Sequence, residues 1–219
     1  MKESIINAIK ELDDDLTLLL VKDAFNKGFT KYEILKWMNL GMNEVGKLYE
    51  ETEYYIADLI MSGIIYRKVL DLQIMSMDSD HSNLQNSIGK IIIGTVEDDI
   101  HDIGKDIFIS IAKSESFEVY DLGVDVRPNT FLEKVLQIQP DIVGMSGIIT
   151  NSIKCMKETV DLLSRNFVRN DFKIIIGGIS ISEEMCRYIG ADFATSSADN
   201  GIDKCKKWIR EKYEQSQSS

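Results

Sequence analysis

The chain has 219 residues, 44% of them hydrophobic and 28% charged, with a formal net charge of −11. This balance is that of an ordinary folded chain rather than a fibrous or disordered one, and its excess of carboxylates argues against a sequence-independent grip on nucleic acid or an anionic membrane surface, both of which need clustered cations. Its apolar runs fall well short of the roughly 20 residues that span a bilayer, and "MKESIINAIKELDDD" turns acidic with no signal-peptide core, so a cytoplasmic location is expected.

Residues 1 to about 87 contain no proline and carry apolar residues at helical spacing. Four stripes stand out: Ile5, Ile6, Ile9 and Leu12; then Leu18 to Val21 with Phe25; then Ile34, Leu35, Met38 and Leu40; then Leu59, Ile60, Ile64, Val69, Leu70 and Ile74. Gly28, Gly41 and Gly46 read as punctuation, and Thr30 as the N-cap of a helix starting near Lys31. The pattern predicts four or five short helices in a bundle. A polar linker, "MDSDHSNLQNS" at 77–87, would end this first domain.

From residue 88 to about 215 the texture changes. Short β-branched runs at 90–96, 117–124, 141–148, 173–180 and 192–197 alternate with helical segments, the last ending near Tyr213 before a loose tail, "EQSQSS". Five alternations predict an α/β domain, a doubly wound, five-stranded parallel sheet of flavodoxin-like or Rossmann-like type. In the strand order 2-1-3-4-5, ligands bind at the carboxyl edge between the first and third strands. Asp99 and His101 end the first strand and Ser146 ends the third, so they become neighbours.

"GTVEDDIHDIGKDI" (94–107) sets His101, one of only two histidines, among Glu97, Asp98, Asp99, Asp102 and Asp106. Asp99 can accept a proton from one imidazole nitrogen and leave the other free for a metal, the arrangement that fixes a ligand histidine's tautomer. A loop histidine capping the next helix is the plainer account. The other histidine, His81, lies in the linker, and zinc needs three or four good donors, so a metal on His101 would arrive already chelated. A magnesium site on the carboxylates with a phosphate substrate is an alternative, but it leaves His101 unexplained. Ser146 in "GMSGIIT" can serve simply to satisfy a strand end, and Gly177 and Gly178 can form a plain turn or let a large flat group lie against backbone. Three widely spaced cysteines, Cys155, Cys186 and Cys205, without any CxxC, predict inert thiols.

"DIHDIG" resembles the DxHxxG signature of cobalamin-binding domains, with Asp99, His101 and Gly104 in its places; Ser146 falls where the family's SxL serine stands, and Gly177 and Gly178 match its GG. "DLGVDV", "VGMS" and "IGAD" are similar to the small corrinoid proteins of methyltransferase systems. "GMNEVGKLYEETEYYIADL" (41–59) is similar to the helical cap module that precedes the cobalamin domain there and in methionine synthase. The chain departs from the pattern at Asp98, Asp106, Ile148 and Ala57, where glycine, asparagine, leucine and proline are usual.

The resemblance implies a methyl carrier that is not catalytic alone. His101 would bind cobalt in place of the cofactor's own base, alternating between methylcobalamin and cob(I)alamin; Asp99 would hold His101, and Ser146 would extend that relay or contact the nucleotide tail. Gly104, Thr150, Gly177 and Gly178 complete the implied cofactor site, and Tyr54, Tyr55 and Ile56 are candidate contacts on its upper face. A substrate-specific methyltransferase and a second methyltransferase are the implied partners, with a reductive activase as a third; the chain is too short to carry a (β/α)₈ catalytic barrel of its own. The small cobalamin-binding subunit of an adenosylcobalamin mutase and a magnesium or phosphate-binding flavodoxin-like module are the alternatives.

Overall fold

A computed structural model describes residues 1–72, 87–166, 171–178 and 182–217. It divides into two compact units, Met1–Asp80 and His81–Ser219. Most of the expected linker, residues 77–86, and Ile74 lie outside the described residues.

The first unit holds α1 (Lys2–Lys10), α2 (Asp14–Asn26), α3 (Lys31–Glu50) and α4 (Ile56–Leu70). Side chains cap two of its helix starts, that at Thr30 as expected. Asp13 accepts the Leu16 N–H at 3.0 Å, and Thr30 exchanges hydrogen bonds with Glu33 in a capping box. Gly41 and Gly46, however, do not break a helix: both lie inside α3. A Cβ on Gly41 would stand 2.8 Å from the Ile9 Cβ and 3.1 Å from the Ile6 carbonyl oxygen, so the glycine is there to let α1 and α3 approach.

The fourth stripe is also redistributed. Helix α4 buries Ser62, Ile65, Tyr66 and Val69 and leaves Ile56, Ile60 and Ile64 exposed. It is apolar on both faces, so periodicity alone does not say which faces the core. Leu19 of α2 is likewise exposed. Ala57 is the second residue of α4, a first-turn position where proline costs no hydrogen bond, which is why either residue fits. The Tyr54 hydroxyl donates to the Lys10 carbonyl at 2.8 Å, whereas Tyr55 is exposed.

The second unit is a five-stranded parallel sheet in the order β2-β1-β3-β4-β5. Its elements are β1 (Gly89–Thr95), α5 (Ile103–Ser114), β2 (Phe117–Asp121), α6 (Pro128–Ile138), β3 (Ile142–Ser146), α7 (Thr150–Arg165), β4 (Lys173–Gly177), α8 (Glu183–Ile189), β5 (Phe193–Thr195) and α9 (Ala198–Gln217). Central strands are buried along nearly their whole length, as parallel strands with covered faces are.

Strands β2, β3 and β4 stop earlier than their apolar runs do, because the last apolar residues turn into the loops that build the carboxyl edge; residues 179 and 180 lie outside the described residues. At the other end, α9 runs to Gln217 rather than stopping near Tyr213, since glutamate and glutamine are good helix formers. Strand order reverses at β1, which pairs with both β2 and β3.

Candidate functional site

One row of residues crosses the carboxyl edge of the sheet in register: Thr95 beside Ser146, Ser146 beside Gly177, Gly177 beside Thr195. The loop that leaves β1 rises from this row. Val96 donates to the Ser146 carbonyl at 3.0 Å, and the buried Thr95 hydroxyl donates to the His101 carbonyl at 3.2 Å, closing the loop over the end of its own strand. Asp98 adopts φ +66°, a left-handed conformation that favours glycine. It is stabilised by its own N–H, which donates to Asp125 Oδ1 at 2.9 Å, and by its carboxylate, which accepts from Asn151 Nδ2 at 2.8 Å.

Asp99 is the centre of the site. Its side chain is fully buried, yet both oxygens are saturated with donors. Oδ1 accepts the His101 N–H at 3.0 Å and His101 Nδ1 at 2.7 Å. Oδ2 accepts the Ile148 N–H at 2.7 Å, the Ile149 N–H at 3.3 Å and the Ser152 hydroxyl at 2.7 Å. Helix α7 has no side-chain cap of its own at Ile149, so the Asp99 carboxylate supplies an anion where the orphan N–H groups and the helix dipole favour one. Burial is the largest single influence on Asp99 and pushes its pKa up. Hydrogen bonds from the Ile148 amide, the Ser152 hydroxyl and both donors of His101 together outweigh it and hold the carboxyl well below the usual range.

An ionised carboxylate only accepts, so the His101 nitrogen facing it must carry the proton. In the neutral imidazole this makes Nδ1 the donor and leaves the lone pair on Nε2, which has no hydrogen bond among the described residues. The His101 side chain is 54% exposed beside a fully buried Asp99. Around it Ile100, Val124, Ile148 and Ile149 present apolar side chains to solvent, at 72%, 39%, 36% and 37% exposure, a rim with no core to explain it.

The glycines divide in two. A Cβ on Gly147 would fall 2.4 Å from the Ser152 Cβ, so Gly147 lets Ser152 reach Asp99. Gly104, second residue of α5, has nothing within 4 Å of an added Cβ, and Gly177 meets only the Thr195 carbonyl at 3.5 Å. Nothing in the fold requires these two, and they border open space. Gly178 continues from Gly177, and Thr150 is exposed as the first residue of α7.

The structure therefore brings Asp99, His101, Ser146, Thr150 and Gly177 to one edge, with Gly104 opening the helix after the histidine loop. Sequence reasoning missed Ser152, which takes the position against Asp99 that the relay had given to Ser146. Ser146 stays at the strand end with its carbonyl on Val96. The signal for Ser152 was weak: a hydroxyl in the first turn of a helix that lacks an N-cap, after a glycine. Thr95 and Thr195 were also missed, since a threonine ending a strand looks like any other β-branched residue.

The other carboxylates do not gather. Glu97 faces Arg127 at 3.5 Å, Asp98 holds Asn151, and Asp106 holds the buried Lys105. Among the described residues no three His, Cys, Asp or Glu side chains are grouped to hold a metal ion. A single imidazole with an open lone pair, an apolar rim and two unneeded glycines suits a metal whose remaining donors come with a flat macrocycle.

Models of the B12 binding domain match residues 89–200 and residues 1–72. Trimethylamine corrinoid protein 2 of Methanosarcina mazei is 31% identical over 95% of this chain and 98% of its own. A cobalamin-binding protein from Desulfitobacterium hafniense, solved by crystallography, is 36% identical with a TM-score of 0.55, covering 95% of this chain and 98% of its own. The monomethylamine corrinoid protein of Methanosarcina barkeri is 25% identical with a TM-score of 0.77, covering 92% and 94%. The chain belongs to the B12-binding family. Membership sets aside the magnesium and phosphate alternative, and no helix among the described residues is long and apolar enough to cross a membrane.

Proposed function

We propose that this protein is a corrinoid methyl carrier, with His101 as the lower axial ligand of a cobalamin whose own base has left the metal. The observation that carries the reading is the free Nε2 of His101, set by the 2.7 Å hydrogen bond from Nδ1 to an ionised, buried Asp99. The relatives named as trimethylamine and monomethylamine corrinoid proteins support the methyl-carrying role. A bound corrinoid supplies a cobalt centre that accepts a methyl group and gives it up again.

The chain's contribution is to hold one nitrogen at fixed orientation. Asp99 fixes the ring's orientation through Nδ1, and the Ile148 and Ile149 amides with the Ser152 hydroxyl prevent Asp99 from turning away. Gly104, Gly177 and Gly178 leave backbone bare for the nucleotide tail, with Ser146 and Thr150 as polar contacts at its edge. The exposed apolar rim of Ile100, Val124, Ile148 and Ile149 offers a surface on which a flat macrocycle would rest. We assign residues 1–87 to a helical cap and 88–215 to the cofactor domain. The partners we propose are a methyltransferase that loads the carrier from its substrate and a second that unloads it, with an acidic surface steering their approach.

The test is the ultraviolet-visible spectrum of protein reconstituted with hydroxocobalamin, wild type beside His101→Ala. A retained corrinoid whose axial signature changes in the variant is expected. A wild type that retains no chromophore would end the carrier reading; a chromophore indifferent to His101 would end the ligand assignment alone.

A further inference from the structure

Lys105 follows Gly104 in the first turn of α5 and is buried, its side chain 2% exposed. That is the wrong end of a helix for a cation, because the macrodipole is positive there. Burial pushes the lysine's pKa down, yet its carboxylate partners outweigh this and raise it, so it stays charged. Its ammonium donates to both oxygens of Asp121, each at 2.9 Å, and to Asp106 Oδ1 at 2.8 Å. A methionine would fill similar space without taking a charge out of water, and buried ion pairs are often no better for stability than such a replacement. What the pair adds is direction: it fixes Asp121.

Asp121 is the last residue of β2, and the turn it begins is bonded to the histidine loop along its length. Asp121 Oδ1 accepts the Gly123 N–H at 2.9 Å, and the Gly123 carbonyl accepts the Thr95 N–H at 3.0 Å. Val126 donates to the Thr95 carbonyl at 3.0 Å and Asp125 to the Asp99 carbonyl at 3.1 Å, while Asp98 donates back to Asp125 Oδ1 at 2.9 Å. Two non-glycine residues of these facing segments, Asp98 and Asp125, have left-handed backbones with φ of 66° and 54°. Such conformations persist only where the surroundings over-determine them.

We infer that Lys105 is a positioning residue for His101, acting through Asp121 to lock the β2–α6 turn against the loop that carries Asp99 and His101. This rests on His101 being the axial ligand. Lys105 itself touches neither metal nor substrate.

The experiment compares wild type, Lys105→Met, Lys105→Arg and, as a control that loosens the same domain's core, Leu163→Ala. Each is reconstituted with hydroxocobalamin and read for dissociation constant and for the histidine-ligated fraction at saturation. Amide hydrogen exchange is followed on the cofactor-free protein. Lys105→Met is expected to bind at least tenfold more weakly, with a reduced histidine-ligated fraction and faster exchange at Thr95, Asp98 and Asp125. Lys105→Arg is expected to restore most of the fraction, and Leu163→Ala to lower the melting temperature with the spectrum unchanged. A Lys105→Met protein with wild-type spectrum, or with wild-type exchange at those amides, overturns the inference. A wild type and His101→Ala with identical spectra would instead remove the ligand assignment on which it stands.

Discussion

The Ser152 hydroxyl donates to Asp99 Oδ2 at 2.7 Å, across 53 positions of sequence, and so ties the first turn of α7 to the loop that presents His101. Both side chains are buried, and the acceptor is charged. Removing the hydroxyl with Ser152→Ala should cost about 1.5 to 3 kcal/mol, the range for a hydrogen bond to a charged group. Urea unfolding monitored by circular dichroism checks this. A variant within a few tenths of a kcal/mol of wild type would mean that the Ile148 and Ile149 amides alone hold Asp99.

The two kinds of glycine at the site should respond in opposite ways. Gly147→Ala puts a methyl group 2.4 Å from the Ser152 Cβ, and overpacking of this kind costs about 1 to 3 kcal/mol. Gly104→Ala enters open space at a helical position, where relief of glycine's backbone freedom is worth about 0.5 kcal/mol in favour of the folded state. Thermal unfolding of the cofactor-free variants distinguishes them. If Gly104 borders the cofactor, Gly104→Leu should also keep its melting temperature while retaining far less corrinoid; equal retention would move the cofactor away from α5.

Much of this was legible in the sequence because the signals were local or repetitive. Five β-branched runs separated by helical segments specify the parallel sheet, and Asp99 lies two residues from His101, close enough for their hydrogen bond to be read directly. Ser152 was not legible. Its partner is 53 residues away, and the link exists only because β1 and β3 are adjacent and Gly147 admits the contact. The interior glycines of α3 misled for a related reason: Gly41 is explained by the approach of α1, a tertiary fact, while its local meaning is a break. Helix α4 shows the limit of periodicity, since with isoleucines on both faces the choice of Ile65 over Ile60 and Ile64 belongs to packing.

Two opposing effects meet at Asp98. Its left-handed backbone costs a non-glycine residue about 1 kcal/mol, while its carboxylate bonds Asn151 at 2.8 Å in an exposed position. Asp98→Gly loses the bond and the strain together and should leave stability nearly unchanged. Asp98→Ala loses the bond but keeps the strain, so it should be less stable than Asp98→Gly by about 1 kcal/mol. Chemical denaturation of the two variants isolates the backbone term, and equal stabilities would show that the loop relaxes to another conformation.

The three cysteines carry a pH dependence whose sign follows from burial. Desolvation raises the pKa of all three thiols and pushes Cys205 up to about 12. An unfolded cysteine titrates near about 8.5, so above that pH the unfolded chain loses a proton that the folded chain keeps. The stabilisation from the neutral thiol is therefore complete below about pH 8.5 and is lost progressively as pH rises toward 12. Between pH 9 and 11 the unfolding free energy should fall less steeply in Cys205→Ala than in wild type, by up to about 1.4 kcal/mol per pH unit. At pH 8 a thiol reagent should reach the partly exposed Cys186 first and Cys155 and Cys205 only as the domain opens; parallel slopes, or prompt labelling of Cys205 in the native protein, would contradict its burial on the inner face of α9.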